Sequence, residues 1–592
     1  MIGRDMILTN MESRRHKREE QEQHRAKKSR QHILKMEAKA ELSSSSSSSS
    51  SPMRPQDEGA STSTSDIPPA KRKRASKKIL NPQLAAAMDR TSTTDREAVH
   101  LLNAAAESFG QNPDEYAINR ESVRRDRRKF RAEFASKIKH SFHPSVPLTV
   151  HWDGKILPAA DGGPAIDRLS VLVTGDGVEK FLASPSIPNG TGQAAADAIF
   201  TTLEDWGLEK QVVALSFDTT PSNTGLTSGA CSLVEQKLGH DVLHLACRHH
   251  TYELICEKAF STCFGAASGP EIQIFKKFRE KWKDVDKMAP KAMELENMSQ
   301  HLSDKRETLL LELQSLLDGL HPRKDYREII ELSIVVLGGE PRRGIHIARP
   351  GAIHRARWMA KVIYALKMYL FRDQEVLNLR KKDISTIKRF VEFSIAIYVV
   401  PWSKARCAAS APAQDLDLLK SLLAYPDREI SEATSTSFGR HMWYLSERLI
   451  ALAFFDDGVS CATKRDMVKA SQDQIGLKEP RRRVTVDTRE ANLEGKTVAD
   501  FVTTGSLKFF ELMNIDTQFL STDPASWEEN PAYLNAQKRI KALQVVNDFA
   551  ERGVAMVQRY HSAHTKDETQ KQYLLQVVES HHKSYPSASR QT

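Results

Sequence analysis

Cysteine is scarce in this chain, and its distribution excludes two kinds of cross-linked domain. There are six cysteines in 592 residues, and the first of them is Cys231. The residues before it therefore cannot form a zinc finger, which needs a cysteine pair followed by a histidine pair. The cysteines are also too few and too widely spaced for a disulfide framework, so we expect a reducing compartment, the cytosol or the nucleus.

Long apolar runs are absent as well. No segment approaches the roughly 18 consecutive apolar residues of a membrane span, and no succession of charged, apolar and small residues resembles a secretory signal. We therefore expect no membrane partner.

Positive charge is concentrated in the first quarter of the chain. Residues 1–145 hold 29 Lys and Arg against 19 Asp and Glu, whereas residues 146–592 hold 57 of each. Within this quarter, nine serines (Ser43–Ser51) precede a stretch rich in Pro, Ser and Thr. Such a composition buries too little apolar surface to offset chain entropy, so residues 1–80 are predicted to be a disordered basic tail.

The segment AKRKRASKK, residues 70–78, holds six basic residues in nine. A cluster of this kind is typical of nuclear localisation signals and nucleic-acid patches, and a solubilising tail is the plainer alternative. We expect nuclear localisation through an import receptor. The basic residues concerned are Lys71, Arg72, Lys73, Arg74, Lys77 and Lys78.

Residues 81–145 are predicted to be a basic helical region. Its last segment places Val123, Phe130, Phe134 and Ile138 near helical spacing, with basic side chains on the other face. Contact with a DNA backbone and a solvated helix face are equally compatible with this pattern. The candidate DNA contacts are Arg124, Arg125 and Arg128, beside Arg127, Lys129 and Arg131.

An α/β pattern begins at Pro147. Three strand-like segments (PLTVHWDGKIL, RLSVLVTG and EKFLASPSI) precede a helix, the apolar strand QVVALSFD, a helix, the strand DVLHLAC and another helix. This order predicts an RNase H-like mixed sheet, in which an antiparallel meander continues into parallel strands. We expect residues 146–268 to form its first part, residues 269–540 a large all-α insertion, and residues 541–592 C-terminal helices that complete the core.

Two aspartates occupy informative positions in this pattern. Asp153 lies in the first strand and Asp218 ends the central strand, and these strands are neighbours in the predicted fold. An aspartate at a strand end is most often a turn former. Two carboxylates this close, however, suit Mg²⁺ or Mn²⁺, and a pair of such ions supports in-line phosphoryl transfer. A third acid from a late helix would complete a two-metal site.

The segment FDTTPSN, then CRHHTYEL about thirty residues later and RW about a hundred further on, resembles the hAT superfamily of cut-and-paste DNA transposases. The resemblance covers roughly residues 147–578. It implies an RNase H-like catalytic domain with a helical insertion and a site of two Asp and a late Glu, here Asp153 and Asp218, with Asn223 in the turn. VHWDGK and ACRHH are also similar to segments of transposase-derived proteins of animal genomes.

The resemblance leaves more than one candidate for the late acid. Glu551, followed by Arg552, lies near the end of the chain on a helix with an apolar face, and we favour it. Glu447, followed by Arg448, matches the family locally but falls inside the predicted insertion. Asp548 is the third choice.

Two further pairs follow from the resemblance. Cys247 and His250 would lie near the active site, with His250 at the scissile phosphate or beside a carboxylate; a structural role at a strand–helix junction is the alternative. A zinc site is not expected, since no second Cys/His pair accompanies them. Arg357 would contact a phosphate and Trp358 would stack on an unpaired base, although tryptophan is more often a core residue.

The chain departs from the family in two respects. The Cys and His pairs of the zinc-binding DNA-recognition finger with which such transposases commonly begin do not occur in residues 1–230, and the first-strand segment VHWDGK differs from the usual family wording, so its alignment rests mainly on strand position. Two functions therefore stay open: a Mg²⁺-dependent DNA transposase, and a catalytically inactive, domesticated nuclear protein that binds DNA or protein. A homo-oligomer is compatible with both.

Overall fold

A six-stranded mixed sheet lies at the centre of the molecule. The computed structural model describes residues 77–158, 164–265, 272–319, 321–351, 358–472, 482–489, 492–560 and 567–586. The strands are β1 (Leu148–Leu157), β2 (Ile166–Gly175), β3 (Val178–Ala183), β4 (Ser186–Ile187), β5 (Val212–Phe217) and β6 (Leu243–Ala246). Their order is β3-β2-β1-β5-β6, with β4 paired to β2. β1, β2 and β3 pair antiparallel, and β5 is parallel to both β1 and β6. The predicted α/β class and mixed sheet are therefore confirmed.

Helices account for most of the remaining described structure. Before and within the sheet lie α1 (Pro82–Arg90), α2 (Asp95–Ser108), α3 (Arg120–Ser141), α4 (Gly192–Trp206), α5 (Pro221–Thr224), α6 (Ala230–Leu238) and α7 (Arg248–Phe264). The helical region that follows contains α8 (Gln273–Lys281), α9 (Gln300–Leu317), α10 (Lys324–Val336), α11 (Met359–Leu370), α12 (Lys381–Phe393), α13 (Val399–Lys404), α14 (Ala411–Leu423), α15 (Arg428–Phe438), α16 (Cys461–Gln472), α17 (Lys508–Leu512) and α18 (Pro531–Lys541). The last two helices are α19 (Asp548–Tyr560) and α20 (Glu568–Ser584).

Helices cover both faces of the sheet, and the side chains of β1 alternate between these two faces. Leu148, Val150 and Trp152 belong to the apolar cluster that includes α4. The residues between them point to the other face, where the ring of His151 meets Phe549 of α19 edge-on at 5.9 Å. Period-two alternation assigns Asp153 to this second face, together with His151.

The helical region contains no strand among its described residues, only one isolated bridge between Met442 and Val484. It belongs to the same compact unit as the sheet, spanning residues 74–592. A buried ion pair links the two: Arg248, the first residue of α7, donates to Asp415 of α14 at 2.8 Å and to the carbonyl of Ala405 at 2.9 Å. Arg248 and Asp415 are both almost fully buried.

The basic helix α3 is only partly exposed. Arg127 and Arg131 are buried and both donate to Asp89 of α1, at 2.6 Å in each case. Burial by itself would raise the pKa of Asp89, but the two guanidiniums hold it below its ordinary value. The continuous basic face predicted from the sequence is therefore wrong at these two arginines, which tie α3 to α1.

Among the described residues, no helix combines the length and the apolar composition that a membrane span requires.

Candidate active site

The register of two neighbouring strands sets Asp153 beside Asp218. β1 and β5 pair in parallel, with Val150 opposite Leu215 and His151 opposite Ser216. Continuing this register by two residues aligns Asp153 with Asp218 on the same face of the sheet. Adjacent strands lie about 4.8 Å apart. Asp153 and Asp218 therefore lie side by side at the carboxyl end of β5.

The turn after β5 holds the Asp218 carboxylate in place. Its Oδ1 accepts hydrogen bonds from the Thr220 amide (3.0 Å), the Thr220 hydroxyl (2.6 Å) and the Asn223 amide Nδ2 (2.7 Å). The Oδ1 of buried Asn223 in turn accepts from the Trp152 indole at 3.0 Å. Asp218 therefore forms the turn that ends β5, and the same hydrogen bonds fix its carboxylate. Asn223 connects this turn to β1.

A close backbone approach fixes this turn. A Cβ at Gly229 would lie 2.7 Å from the Asn223 carbonyl oxygen, nearer than real Cβ contacts allow. Only glycine permits the chain to return this closely to the turn. The glycine-rich sequence after Asn223 therefore contributes to the placement of Asp218.

Glu551 reaches the same end of the sheet from α19. The segment before this helix is bonded to the strand ends: the Arg248 amide donates to the Val545 carbonyl at 3.0 Å, and the Asn547 side chain donates to the Trp152 carbonyl at 3.0 Å. The Asn547 amide donates to the sulfur of Cys247 at 3.1 Å. The first turn of α19, which carries Glu551, is thereby anchored next to Asp153.

Two of these carboxylates act electrostatically on the third. Burial first, and then the negative charges of Glu551 and Asp218, raise the pKa of Asp153 to about 7, and His250 and Lys155 oppose the shift only in part. We call Asp153 and the two acids that raise its pKa, Asp218 and Glu551, the acidic cluster.

His250 supplies positive charge at this cluster. Burial alone would lower the pKa of His250, but the sulfur of Cys247 and the carboxylates of Glu253 and Asp218 raise it to about 10. This shift favours the protonated imidazole, which can stabilise negative charge.

The first alternative acid, Glu447, lies elsewhere. Glu447 is buried and accepts from the Thr503 hydroxyl at 2.6 Å. Its neighbour Arg448 pairs with Asp241 at 3.1 Å, just before β6, whereas Tyr444 donates to Ala246 at the end of β6. Glu447 therefore lies towards the beginning of β6, the opposite end from Asp218.

Asp548 is close to the cluster but is engaged with the helical region. It accepts from the Tyr326 hydroxyl at 2.8 Å, and His249 Nδ1 lies 3.5 Å from its carboxylate. Asp548 is not among the charges that raise the pKa of Asp153. Of the late acids, Glu551 is the one that the geometry joins to the two aspartates.

The acidic cluster has the donor chemistry of a Mg²⁺ or Mn²⁺ site. Three carboxylates supply hard oxygen ligands, and their mutual repulsion is the condition that a cation relieves. In the described part of the chain, no three His, Cys, Asp or Glu side chains are already close enough together to ligate one ion. The donor atoms of these three residues therefore suit Mg²⁺ or Mn²⁺, although the side chains do not already surround one ion position.

The predicted DNA contacts are scattered. Arg125 is 73% exposed and Arg124 is 51% exposed, whereas Arg128 pairs with Asp567 at 2.7 Å. Trp358 packs on Phe260 at 5.8 Å, with the Lys361 ammonium 3.2 Å from its ring centroid, so both neighbours account for its position. Arg357 lies outside the described residues.

The localisation-like cluster begins before the described structure. Lys71, Arg72, Lys73 and Arg74 lie outside it. Lys77 and Lys78 belong to the folded part and pair with Glu115 at 2.5 Å and Asp126 at 2.9 Å.

Sequence reasoning missed several residues that shape the site. Asn547 and Trp152 position the acids. Arg323 reaches Glu551 from the helical region, and Tyr326 and Arg406 reach Asp548. Two of these five residues had a local signal: Trp152 directly precedes Asp153, and Asn547 is an amide just before a helix that begins with two acids in its first turn. The three residues of the helical region become neighbours of α19 through folding alone.

Comparison with models of known protein families finds no match, and comparison with curated proteins finds none.

Proposed function

We propose that this chain is a hAT-like DNA transposase, or a nuclear protein derived from one, whose acidic cluster cleaves and joins DNA. One observation carries the proposal: Asp153 and Asp218 lie on adjacent parallel strands, and Glu551 from a late helix contributes to the raised pKa of Asp153. The antiparallel meander that continues into parallel strands, with a long helical segment before the last acid, supports an RNase H-like assignment.

Asp153, Asp218 and Glu551 would hold the metal. Mg²⁺ or Mn²⁺ bound there would activate a water or 3′-hydroxyl and stabilise the leaving oxygen of an in-line displacement at phosphorus. The chain's own residues prepare the site. Asn223 and Thr220 orient the Asp218 carboxylate, and cationic His250 offsets negative charge where a scissile phosphate would lie.

The test is a nicking and strand-joining assay with purified protein, Mn²⁺ and duplex DNA. Asp218→Asn should reduce activity about a hundredfold or more, because it removes a charged metal ligand. Asp466→Asn is the matched control: Asp466 is 63% exposed on α16 and should leave activity unchanged. Full activity in Asp218→Asn would reject the catalytic proposal.

A non-catalytic DNA- or protein-binding module is the second candidate. The exposed Arg124 and Arg125 on α3 favour it. If this function is correct, DNA affinity should persist when Asp153, Asp218 and Glu551 are all neutralised. It should fall on replacing Arg124 and Arg125 with alanine. Loss of binding in the neutralised triple variant would contradict it.

A further inference from the structure

Two arginines of the helical region lie at the acids of α19. Arg323, which directly precedes α10, places its guanidinium 3.4 Å from the carboxylate of Glu551. Arg406, in the turn after α13, lies 3.8 Å from the carboxylate of Asp548. These residues are 83 positions apart in sequence, and they approach the same helix from two different segments.

Buried contacts hold both segments in place. α10 is fixed by Tyr326, whose hydroxyl donates to Asp548 at 2.8 Å. The turn carrying Arg406 is fixed by Arg248, which donates to the Ala405 carbonyl at 2.9 Å. In addition, the ring of His249 stacks on Trp402 at 4.2 Å between centroids. Buried contacts therefore hold the two segments that carry the guanidiniums.

Both guanidiniums remain open to solvent. The Arg323 side chain is 45% exposed and that of Arg406 is 36% exposed. A cavity of about 120 Å³ opens beside Arg406, lined also by Ser403, His321 and Tyr326. A ligand could thus reach this surface while contacting α19.

The charges present here fit a phosphodiester backbone. The acidic cluster repels DNA, so a strand that approaches it needs cations close by. Arginine contacts phosphate oxygens through a planar fork of donors. Arg323 also pairs with Asp325, and an arginine paired with carboxylates in the absence of DNA can exchange them for phosphates when a strand binds.

We propose that Arg323 and Arg406 contact backbone phosphates of the DNA strand that enters the acidic cluster, so that the helical region supplies the cationic side of the site. This inference rests on the proposed function for its substrate. The two arginines position DNA next to the reacting groups, a role that neither α3 nor Trp358 provides at this place.

The test measures DNA affinity against salt concentration in the Asp218→Asn background, by fluorescence anisotropy of a labelled duplex. Each phosphate contact contributes about 0.9 to the slope of log affinity against log salt. Arg323→Ala and Arg406→Ala should each weaken binding at low salt and reduce the slope by about one. Arg323→Lys and Arg406→Lys should restore most of the slope, because they keep the charge.

Arg465→Ala is the matched control. Arg465 lies on α16, forms a two-point ion pair with Asp523 as Arg323 does with Asp325, and is 47% exposed. It should leave the slope unchanged. Melting temperatures show whether each variant is folded.

The outcomes separate the two proposals. An unchanged slope in folded Arg323→Ala and Arg406→Ala proteins would overturn the phosphate contacts, whether or not the wild type cuts DNA. A reduced slope in a protein without Mn²⁺-dependent cleavage would support the contacts and reject catalysis. A wild type that does not bind DNA would overturn both.

Discussion

At the scale of single residues, Asp153 controls how the site responds to pH. Its pKa is raised to about 7 by burial and by Glu551 and Asp218, so the carboxyl is half protonated near neutrality. A metal needs the ionised form. The affinity for Mn²⁺ should therefore increase as pH rises from about 6 to 8 and level off above that. Isothermal titration with Mn²⁺ across this range measures it, and a pH-independent affinity would contradict the cluster.

The raised pKa of Asp153 also predicts how the stability of the protein depends on pH. An aspartate in the unfolded chain has a pKa of about 4, so between that pH and about 7 the folded protein binds the extra proton. The free energy of unfolding therefore decreases as pH rises through this window. Asp153→Asn should stabilise the metal-free protein by up to about 4 kcal/mol at pH 8, since each pKa unit of the rise from 3.8 to about 7 corresponds to about 1.4 kcal/mol, and it should have little effect at pH 4. Denaturant unfolding at the two pH values tests this, with Asp466→Asn as the control.

At the scale of elements, helix α3 carries both buried and exposed arginines. Arg127 lies four residues after Val123 and seven before Phe134, so helical periodicity puts it on the apolar face, with Arg131 at the edge of that face. Both are buried on Asp89, whereas Arg124 and Arg125 lie outside that face and remain exposed. Helical periodicity therefore marks which arginines turn inward, but it does not indicate which carboxylate they meet.

Asp89 should accordingly be important for the N-terminal helices. Asp89→Ala removes the carboxylate that buried Arg127 and Arg131 share, although Arg127 keeps its ion pair with Asp95 at 2.7 Å. Loss of one partner costs about 3–5 kcal/mol in comparable buried pairs. We expect a clear decrease in melting temperature, measured by circular dichroism. The exposed Asp114→Ala in the same region should change it little. Equal melting temperatures for the two variants would contradict the structural role of Asp89.

At the scale of the whole molecule, one buried ion pair joins the sheet to the helical region. Arg248 bonds to Asp415 at the carboxyl end of β6 and also fixes the turn that carries Arg406. Asp415→Ala should destabilise the protein by about 3–5 kcal/mol, because it leaves a buried charge uncompensated. It should also reduce the salt dependence of DNA binding by displacing Arg406.

Arg428→Ala is the comparison for this variant, since Arg428 is 89% exposed and pairs with Glu432 of its own helix. Calorimetry gives the stability and anisotropy gives the salt slope. A destabilised Asp415→Ala protein with an unchanged slope would show that the pair stabilises the fold without positioning Arg406.

The sequence by itself determined the mixed α/β class, through strand alternation and an apolar central strand. The expected strand order predicted Asp153 beside Asp218, and the preference for Glu551 over Glu447 came from the resemblance to the transposase family. The tertiary structure alone decided that Asn547 and Trp152 hold the acids, that Arg127 and Arg131 meet Asp89, and that Arg323 and Arg406 reach α19. The physical reason is that these side chains meet partners distant in sequence, and no spacing rule within one segment encodes such a contact.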